Sequence, residues 1–393
     1  MEDNAGSYKE ALKYLYGLQK FGIKFGLSKT SNILSHFNNP HLGRKYIHIA
    51  GTNGKGSVAS FLCSILGRAG FKVGLYTSPH LVRFTERFRV NDSEIERSEV
   101  VRLVQDIKQA TAPEEPPTFF EFTTAMALLY FARQGTDIDI MEVGMGGRLD
   151  ATNVINPILS VITNISREHT FYLGKHLSDI TSEKAGIIKE NVPVVTGARQ
   201  PRVLEIIGSV CSRKSAPLTK VGVDARYRYT KNGLDYHGTH HRYQNLKLGL
   251  GGSFQPRNAA TALAALEILE ATGFAAGDRE VRQGLQATKW PGRMHVLSAN
   301  PAVILDGAHN PGAMTELAAS IKKNPPGKRL FVVLGILEDK DVEKMIRAVV
   351  PLADHAWYSR PEYGRAAAAE RLAEAADGLG TPGTVEPDLQ RAL

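Results

Sequence analysis

One short glycine-rich segment contains the residue types that could bind a phosphate group: Gly51-Thr52-Asn53-Gly54-Lys55-Gly56-Ser57. Glycines allow backbone N–H groups to point into one concavity and to approach phosphate oxygens closely. Lys55 could reach the terminal phosphates, and the Ser57 hydroxyl could bind Mg²⁺. The segment departs from the strict pattern G-x-x-x-x-G-K-[ST], because Gly56 separates the lysine from the serine. We interpret it as a phosphate-binding loop, and an ordinary glycine-rich turn is the alternative.

Three further residues of suitable chemistry follow the loop along the chain. Glu142 lies in the apolar run Asp137–Val143, and a carboxylate at the end of a core strand could be a second oxygen ligand for Mg²⁺. His169 follows the run Ile158–Ile165, where it is either a metal ligand or a packed polar residue. Lys184 is either a solvated surface charge or a buried amine whose pKa is lowered by burial.

The pattern of apolar residues predicts the elements that position these groups. Short runs rich in β-branched residues alternate with segments of helical period. The predicted strands are Tyr46–Ala50, Asp137–Val143, Ile158–Ile165, Val192–Thr196, Val303–Leu305 and Leu330–Leu334. The predicted helices are Val58–Ala69, Thr123–Arg133, Asn258–Ala271 and Met314–Lys323. This alternation is typical of an α/β fold with a mostly parallel sheet covered by helices on both faces.

Proline and glycine indicate where the chain divides into domains. Residues 291–295 begin with Pro-Gly between a helical stretch and a new strand, so we predict a hinge there. The first domain then spans 1–290 and the second 296–393, the second beginning with a βαβ unit near Val303.

Two other segments have a distinctive composition. Residues 220–250 are rich in Tyr, His and Arg, and their Asn232-Gly233 pair favours the tight turn of an antiparallel hairpin. The tail from Arg365 is rich in Ala and Glu and then in Gly and Pro. We expect a helix there, followed by an irregular end.

The overall charge limits the class of partner. The chain has 393 residues, with 48 Lys and Arg against 40 Asp and Glu, which gives a formal net charge of +8. A basic balance favours anionic partners such as nucleotides, polycarboxylates or nucleic acid. The basic residues are scattered, without a run of five, so the sequence argues against nucleic acid as the partner.

The compartment is suggested by the cysteines and by the hydropathy. Cys63 and Cys211 are the two cysteines, too few for a disulfide framework, and free thiols are typical of a reducing cytoplasm. No stretch approaches the roughly 20 apolar residues of a membrane helix, and the acidic N-terminus is unlike a signal peptide. We therefore expect a cytoplasmic protein with no membrane partner.

Eight motifs occur in an order that resembles one known family. They are GTNGKGS at 51–57, TSPHL at 77–81, TERFRV at 85–90, FFEF at 119–122, EVGMGGRLDATN at 142–153, EKAGIIK at 183–189, and PGR with DGAHNP at 291–293 and 306–311. Together they resemble the folylpolyglutamate synthase / dihydrofolate synthase family of the Mur ligase superfamily. The resemblance implies a P-loop ATPase domain with a mostly parallel sheet and a small antiparallel sheet, and a smaller Rossmann-like C-terminal glutamate ligase domain.

The resemblance also implies an activity. Family members join L-glutamate to a folate, and some also to dihydropteroate, in an ATP- and Mg²⁺-dependent reaction. A substrate carboxylate attacks the γ-phosphate to form an acyl phosphate, and the glutamate amine then displaces phosphate. We accordingly expect a monomeric enzyme with small-molecule substrates. Segments such as LDATN, which resemble those of bacterial members, favour a bifunctional enzyme.

Site residues follow from the same resemblance, position by position. The implied ligands of two Mg²⁺ sites are Ser57, Ser78, Glu142, His169 and Lys184, the last as a carbamate. The implied ATP-binding residues are Thr52, Asn53, Gly54, Lys55, Gly56, Ser57, Asn258, Arg293 and Asp306. The implied catalytic residues are Lys55, His169, Lys184, Asp306 and His309. The segments that would line the pterin pocket are Phe120, Glu121 and Phe122, with Leu149, Asp150 and Ala151.

The sequence departs from the family pattern at two places, and two other functions are alternatives to the one that the resemblance implies. Glu168 precedes His169 where the family commonly has Asp, so Glu168 has no assigned role, and the second domain is expected to be short at its end. Another Mur-type ligase, acting on a cell-wall nucleotide precursor, is the nearest alternative. A P-loop switch or nucleic-acid-dependent ATPase is a more remote alternative, because it gives no account of DGAHNP.

Overall fold

A computed structural model describes residues 2–22, 24–111 and 114–393 of the chain. The predicted first domain, 1–290, therefore includes Met1, Ile23, Ala112 and Pro113, which lie outside the described residues. Contacts between residues divide the chain into two compact units. One contains the residues up to Gly249 together with Pro256–Lys289, and the other contains Leu250–Gln255 and Trp290–Leu393. Within the described ranges, no helix is long and apolar enough to cross a membrane.

An eight-stranded sheet forms the centre of the first unit. Its strands are β1 (Tyr46–Ala50), β2 (Val73–Tyr76), β3 (Phe88–Val90), β4 (Ser93–Glu94), β5 (Ile138–Glu142), β6 (Leu159–Ile162), β7 (Val194–Thr196) and β8 (Leu218–Lys220). They lie in the order β4-β3-β2-β5-β1-β6-β7-β8, and β3 and β4 are antiparallel to their neighbours. Strands β1, β5 and β6 are buried along their whole length, as their continuous apolar runs predict for central parallel strands.

Helices cover both faces of this sheet, as the alternating pattern predicted. In the first unit they are α1 (Glu2–Gly17), α2 (Ser28–Ser35), α3 (Lys55–Arg68), α4 (Arg97–Gln109), α5 (Phe119–Gln134), α6 (Thr170–Leu173), α7 (Leu177–Ala185), α8 (Pro201–Arg213), α9 (Gln255–Glu270) and α10 (Asp278–Ala287). Tyr46 and Met141 of the sheet pack with α1, α2, α4 and α5 in one apolar core. Helix α3 contacts β1, β2 and β5 outside that core, so it lies on the opposite face.

A small antiparallel sheet confirms the predicted hairpin region. Strands β9 (Arg226–Thr230), β10 (Gly233–His237) and β11 (Arg242–Leu246) are paired in the order β11-β10-β9. Asn232 precedes the first residue of β10, Gly233, whose φ of 135° is available to glycine. The turn therefore lies where the Asn-Gly pair predicted it.

The second unit contains a ribbon and a parallel sheet. Its strands are β12 (His295–Ala299), β13 (Ala302–Leu305), β14 (Phe331–Leu334), β15 (His355–Tyr358) and β16 (Gly383–Val385), and its helices are α11 (Pro311–Lys323), α12 (Val342–Val349), α13 (Ala369–Ala376) and α14 (Leu389–Ala392). Strands β14, β15 and β16 are parallel, and helices α11, α12 and α13 contribute to their apolar core.

Two details of the predicted second domain were wrong. Strand β13 does not begin a βαβ unit, because it pairs antiparallel with β12 in a two-stranded ribbon. The turn signal was Asn300-Pro301, which directly precedes β13. The Gly- and Pro-rich tail is also more regular than expected, since it contains β16, which pairs with β15 at the edge of the sheet.

Candidate active site

The phosphate-binding loop connects β1 to α3, as predicted. Helix α3 begins at Lys55, and the Val58 N–H donates to the Gly54 carbonyl over 2.9 Å. Gly51 has φ 146° and Gly54 has φ 87°, which side-chain-bearing residues rarely adopt. A Cβ at Gly51 would lie 2.0 Å from the Thr163 Oγ1. Both glycines are therefore required by the geometry of the loop, and α3 directs its N-terminal N–H groups toward that loop.

Residues after strand β6 fix the shape of this loop. The Asn164 carbonyl accepts a hydrogen bond from the Thr52 N–H at 2.9 Å, and its Oδ1 accepts one from the Asn53 N–H at 2.7 Å. The Thr163 hydroxyl donates to the Asn53 carbonyl at 2.7 Å. This Thr-Asn pair was not predicted from the sequence. The sequence signal for Thr163 and Asn164 was their position directly after a core strand, because such residues face the ligand site in open α/β sheets.

Two lysines converge on the same backbone carbonyl. The Lys55 Nζ donates to the Gly51 carbonyl over 3.1 Å, and the Lys184 Nζ donates to it over 2.8 Å. Lys184 is only 4% exposed, so it is not a surface charge. Burial, with a further contribution from the Lys55 charge, lowers the pKa of Lys184 to about 7, while Glu168 and Asp150 act in the opposite direction.

Glu142 ends strand β5 beside the loop. Its Oε1 lies 4.0 Å from the Lys55 Nζ, and its Oε2 accepts a hydrogen bond from the Ser78 N–H at 3.2 Å. The Glu142 carboxylate is nearly buried, as is Ser57 in the first turn of α3. The structure thus brings Glu142, Ser78 and Lys55 together.

His169 lies at the start of the short helix α6, in a left-handed backbone conformation with φ 52°. Its carbonyl accepts hydrogen bonds from the N–H groups of Tyr172 and Leu173, both over 2.9 Å. The His169 Nε2 lies 3.9 Å from the Glu168 Oε1, and Glu168 is nearly buried. Glu168 is thus close enough to influence both His169 and Lys184.

The donor chemistry is suited to a hard divalent cation. In the ranges that the structure describes, no three His, Cys, Asp or Glu side chains lie close enough to hold a metal by themselves. Glu142 supplies carboxylate oxygens, and Ser57 and Ser78 supply hydroxyls, which are the oxygen ligands that Mg²⁺ prefers. A cation here would complete its coordination with oxygens from phosphate or water, as Mg²⁺ commonly does in nucleotide sites.

The aromatic segment at the start of α5 has mainly structural contacts. The Glu121 Oε2 accepts hydrogen bonds from the N–H and hydroxyl of Thr118, at 2.7 and 2.8 Å, and forms a capping box. Phe122 is fully buried, with its ring 5.6 Å from that of Tyr14. Phe120 is partly exposed and lies against Gly144, where a Cβ would be 2.5 Å from its ring. Of Phe120, Glu121 and Phe122, Phe120 alone is partly exposed.

Asp150 anchors the loop that follows Glu142. Its Oδ2 accepts hydrogen bonds from the N–H groups of Gly144 and Met145 at 3.1 and 2.9 Å. Its Oδ1 accepts from the N–H of Thr152 at 3.0 Å and from its hydroxyl at 2.5 Å. Burial raises the pKa of Asp150, and these four donors oppose the increase. Beside it, the Leu149 carbonyl accepts a hydrogen bond from Gly26, and Ala151 is buried.

Asn258 is brought to the phosphate-binding loop by helix α9. A Cβ at Gly54 would lie 2.6 Å from the Asn258 Oδ1, so the amide packs directly on that glycine. Asn258 is 6% exposed. Its position near the start of α9 therefore places a hydrogen-bonding side chain next to the site expected for phosphate.

The remaining predicted residues belong to the second unit. The Asp306 carboxylate accepts hydrogen bonds from the N–H groups of Met294 and Ala308, at 2.8 and 2.9 Å. Burial raises its pKa, against the effects of these bonds and of the Arg293 charge. The Arg293 side chain contacts Gly307, and the His309 Nδ1 lies 2.9 Å from the Gly307 carbonyl. The two predicted motifs, at 291–293 and 306–311, are thus packed on each other.

A buried arginine near Ser78 was not predicted. Arg87 is 6% exposed, and its Nε donates to the His80 Nδ1 over 2.8 Å. Its guanidinium lies 5.1 Å from the centre of the Phe119 ring. Burial and the arginine charge lower the pKa of His80 to about 4, so His80 is a neutral acceptor at pH 7. Its segment TERFRV contains two other charged residues, Glu86 and Arg89, so the pattern did not indicate that Arg87 is buried.

Comparison with known proteins agrees with this arrangement. Residues 49–266 match the Mur ligase middle domain, and residues 292–393 match the family described as Mur ligase, glutamate ligase domain. The dihydrofolate synthase/folylpolyglutamate synthase of Bacillus subtilis is 35% identical, over 97% of this chain and 92% of the relative.

Two solved structures are also similar over most of the chain. FolC of Escherichia coli in complex with DHPP and ADP has a TM-score of 0.89 at 35% identity, covering 97% of this chain and 90% of that chain. The bifunctional folylpolyglutamate synthase/dihydrofolate synthase of Yersinia pestis, complexed with AMPPNP and Mn, has a TM-score of 0.87 at 33% identity. This match covers 98% of this chain and 90% of that chain.

The fold and the site define a Mur ligase, with a phosphate-binding loop in its larger unit and a glutamate ligase domain in the other. Within this class, the chain belongs to the folylpolyglutamate synthase / dihydrofolate synthase family. The resemblance found in the sequence is thereby confirmed, as is the α/β fold class.

Proposed function

We propose that the chain is an ATP-dependent ligase that joins L-glutamate to a folate, and also to dihydropteroate, through an acyl-phosphate intermediate. The reaction forms a C–N bond and uses ATP and a divalent cation. The observation that supports this function most directly is the convergence of Lys55 and Lys184 on the Gly51 carbonyl, next to Glu142. A cationic lysine, a helix N-terminus and a carboxylate are parts that a metal–nucleotide site requires, and the buried Lys184 amine lies beside them.

The chain's own residues would act mainly by positioning and by neutralising charge. The N–H groups of the loop and the N-terminus of α3 would hold phosphate oxygens. Lys55 would move from the Gly51 and Thr52 carbonyls to the terminal phosphate. Its positive charge would then neutralise the negative charge of that phosphate as the acceptor carboxylate attacks. A phosphorylated carboxylate has a good leaving group, so the glutamate amine can then displace phosphate and form the amide.

We propose Ser57, Ser78, Glu142 and His169, with a carbamate of Lys184, as ligands of two Mg²⁺ sites. The contacts of Glu142 with Ser78 and Lys55 support Ser78 and Glu142 as neighbours of the phosphate-binding loop, to which Ser57 itself belongs. When bound, Mg²⁺ supplies a Lewis acid that polarises phosphoryl oxygens. Because His169 lies beside nearly buried Glu168, the glutamate would orient its imidazole through a longer side chain than aspartate.

The environment of Lys184 supports carbamate formation. A lysine with a pKa near 7 is about half neutral at pH 7, and the neutral amine is the form that adds CO₂. Addition of CO₂ to the neutral amine forms one N–C bond and releases one proton, so the amine becomes an anionic carbamate. That change would place negative charge near Lys55 and near the proposed metal ligands.

We propose that the acceptor's pterin ring lies near Phe120, Glu121 and Phe122 and near Leu149, Asp150 and Ala151. Phe120 is partly exposed, and an aromatic ring at this position suits stacking on a flat heterocycle. Glu121 and Phe122 would act by fixing the start of α5, as their capping and core contacts indicate.

The nucleotide-binding set would comprise Thr52, Asn53, Gly54, Lys55, Gly56, Ser57 and Asn258, with Arg293 and Asp306 of the second unit. His309 would be a catalytic residue of that unit. Residues 1–290 would be the ATP- and folate-binding domain, 291–295 the hinge, and 296–393 the glutamate ligase domain. The matched ranges of the two Mur ligase domains support this division.

Small molecules are the proposed partners, and the cytoplasm is the proposed location. The two cysteines are both buried and unpaired, which suits a reducing compartment. The monomeric state remains a prediction from the sequence.

A coupled assay tests the proposed function. We expect ADP release to require glutamate together with dihydropteroate or a reduced folate, and the products to be one glutamate longer. ADP release stimulated instead by a nucleotide-linked cell-wall precursor or by nucleic acid would contradict the proposal. Comparing dihydropteroate with tetrahydrofolate in the same preparation tests whether both acceptors are used.

A further inference from the structure

A fully buried histidine lies next to the loop that follows Glu142. His48 is the central residue of β1, is 0% exposed and is in register with Met141 of β5. Its Nε2 lies 2.8 Å from the Thr152 hydroxyl, whereas its Nδ1 has no hydrogen-bond partner in the part of the chain that the structure describes. A polar side chain at the centre of an apolar strand requires an explanation, because an aliphatic residue would pack there at lower cost.

The hydrogen-bond partners of His48 determine which of its two ring nitrogens carries the hydrogen. Burial and the charge of Lys189 lower the pKa of His48 to about 3, so the imidazole is neutral and has one N–H. If Nδ1 held that hydrogen, a buried donor would be left without a partner, at the full cost of its desolvation. The hydrogen therefore belongs on Nε2, which donates to the Thr152 Oγ1.

Thr152 transmits this orientation to Asp150. Since its Oγ1 accepts from His48, the Thr152 hydroxyl hydrogen is directed to the Asp150 Oδ1, 2.5 Å away. Asp150 in turn uses its Oδ2 to accept from the N–H groups of Gly144 and Met145. A continuous set of hydrogen bonds thus connects the centre of β1 to the turn directly after Glu142.

We propose that His48 is a positioning residue of the active site: through Thr152 and Asp150 it fixes the Gly144–Met145 turn, and hence the direction of the Glu142 carboxylate. This inference rests on the proposed function only for its catalytic consequence. The structural part, that the hydrogen-bond set holds the turn, stands independently of any reaction. His48 would contact neither substrate nor metal.

Hydrogen–deuterium exchange in the substrate-free, metal-free chain tests the structural part. Thr152→Val preserves the shape of the side chain but removes the hydroxyl, and Thr152→Ser keeps the hydroxyl and removes the methyl group. We expect exchange of the Gly144 and Met145 amides to accelerate about tenfold in Thr152→Val, the effect of losing one hydrogen bond's worth of stabilisation. Thr152→Ser should keep slow exchange at these amides. Unchanged exchange in Thr152→Val, or equal acceleration in both variants, would overturn the proposal.

A second pair of variants tests His48 itself. His48→Gln can place an amide N–H near the original Nε2, whereas His48→Leu cannot donate. We expect His48→Leu to accelerate exchange of the Gly144 and Met145 amides as Thr152→Val does, and His48→Gln to leave that exchange slow. If His48→Leu does not fold, the Thr152 pair still decides the outcome.

The catalytic part has its own measurement. In Thr152→Val, the Mg²⁺ concentration for half-maximal ADP release should rise about tenfold or more, as is usual when a group supporting a metal ligand is removed, and the KM for glutamate should not change. Equal changes in both parameters would indicate general damage and overturn the positioning role. If the unsubstituted chain has no ligase activity while exchange responds as expected, the proposed function fails and the structural proposal stands.

Discussion

Lys184 and Gly51 are joined by a buried hydrogen bond of 2.8 Å, although 133 residues separate them in the sequence. The bond places an amine from helix α7 on the first residue of the phosphate-binding loop. Because Lys55 donates to the same carbonyl, its charge adds to burial in lowering the pKa of Lys184. The loop therefore holds a lysine that can become neutral near pH 7.

Replacing Lys184 with alanine should reduce kcat by about 10²–10³-fold, the usual effect of removing a group that stabilises transition-state charge. If the active form is a carbamate, acetate or another short carboxylate should restore part of the lost activity by occupying the space. The measurement is ADP release with and without the added carboxylate. Full activity of the unsubstituted enzyme in CO₂-free buffer, with Lys184 unmodified by mass spectrometry, would refute the carbamate.

The amount of carbamate should depend on pH. Burial lowers the pKa of Lys184 to about 7, so the neutral amine increases as the pH rises through 7. At constant dissolved CO₂, trapping the carbamate with an alkylating agent should give more modified Lys184 at pH 8 than at pH 6. A yield that does not change across this interval would be inconsistent with the lowered pKa.

The same shift has a consequence for stability. A folded-state pKa of about 7 lies below the ordinary lysine value of 10.5, so the unfolded chain binds more protons between these pH values. The buried ammonium is thus a cost that is fully present below pH 7 and decreases as the pH rises toward 10. In CO₂-free buffer, the stability advantage of Lys184→Met over the unsubstituted chain should be largest at pH 6 and should shrink by pH 9. Denaturant titrations of both proteins at pH 6 and pH 9 measure this difference, and an advantage that grows with pH would contradict the lowered pKa.

Lys55→Ala should abolish most turnover and leave the fold intact. The lysine donates to loop carbonyls and is only partly buried, so its loss removes a phosphate contact rather than core packing. We expect a decrease in kcat of about 10²–10³-fold and an unchanged thermal midpoint. Lys231→Ala, in the exposed turn between β9 and β10, is the matched control and should have normal turnover. Near-normal kcat in Lys55→Ala would disprove the assignment of the loop.

Gly51→Ala should weaken ADP binding far more than Gly70→Ala does, although both glycines have a positive φ. An added Cβ would lie 2.0 Å from the Thr163 hydroxyl, so the loop must move. Gly70 has φ 95° and nothing within 4 Å of an added Cβ, so Gly70→Ala should cost only the backbone strain of about 1–2 kcal/mol. We expect ADP affinity to fall at least about tenfold in Gly51→Ala alone, measured by calorimetry. Similar affinities in the two variants would mean that the loop tolerates displacement.

The local parts of this site were predictable, and the long-range parts were not. Glycine spacing and the flanking patterns predicted β1, the loop and α3, because those signals lie within a few residues of one another. The shared carbonyl of Gly51 was not predictable, since it depends on how α7 packs against a loop 133 residues away. For the same reason, one sequence could not distinguish a surface Lys184 from a buried one.

The second unit shows a different limit. Residues 303–305 were correctly predicted as a strand, but their partner was wrong because strand pairing depends on tertiary contacts that periodicity does not encode. The segment FFEF predicts a pterin wall, which stays a prediction, and in the structure Glu121 caps α5 while Phe122 packs in the core. A motif identifies which residues matter in a family without distinguishing contact with the ligand from support of those contacts.

The most direct test of the account follows one oxygen atom. If the acceptor carboxylate attacks the γ-phosphate, an acceptor labelled with ¹⁸O in that carboxylate must transfer one labelled oxygen to the inorganic phosphate released with the amide product. Mass spectrometry of the phosphate after a single turnover with ATP, Mg²⁺ and glutamate should therefore detect one ¹⁸O per phosphate. Release of unlabelled phosphate alongside the glutamylated product would contradict an acyl phosphate and the mechanism built on it.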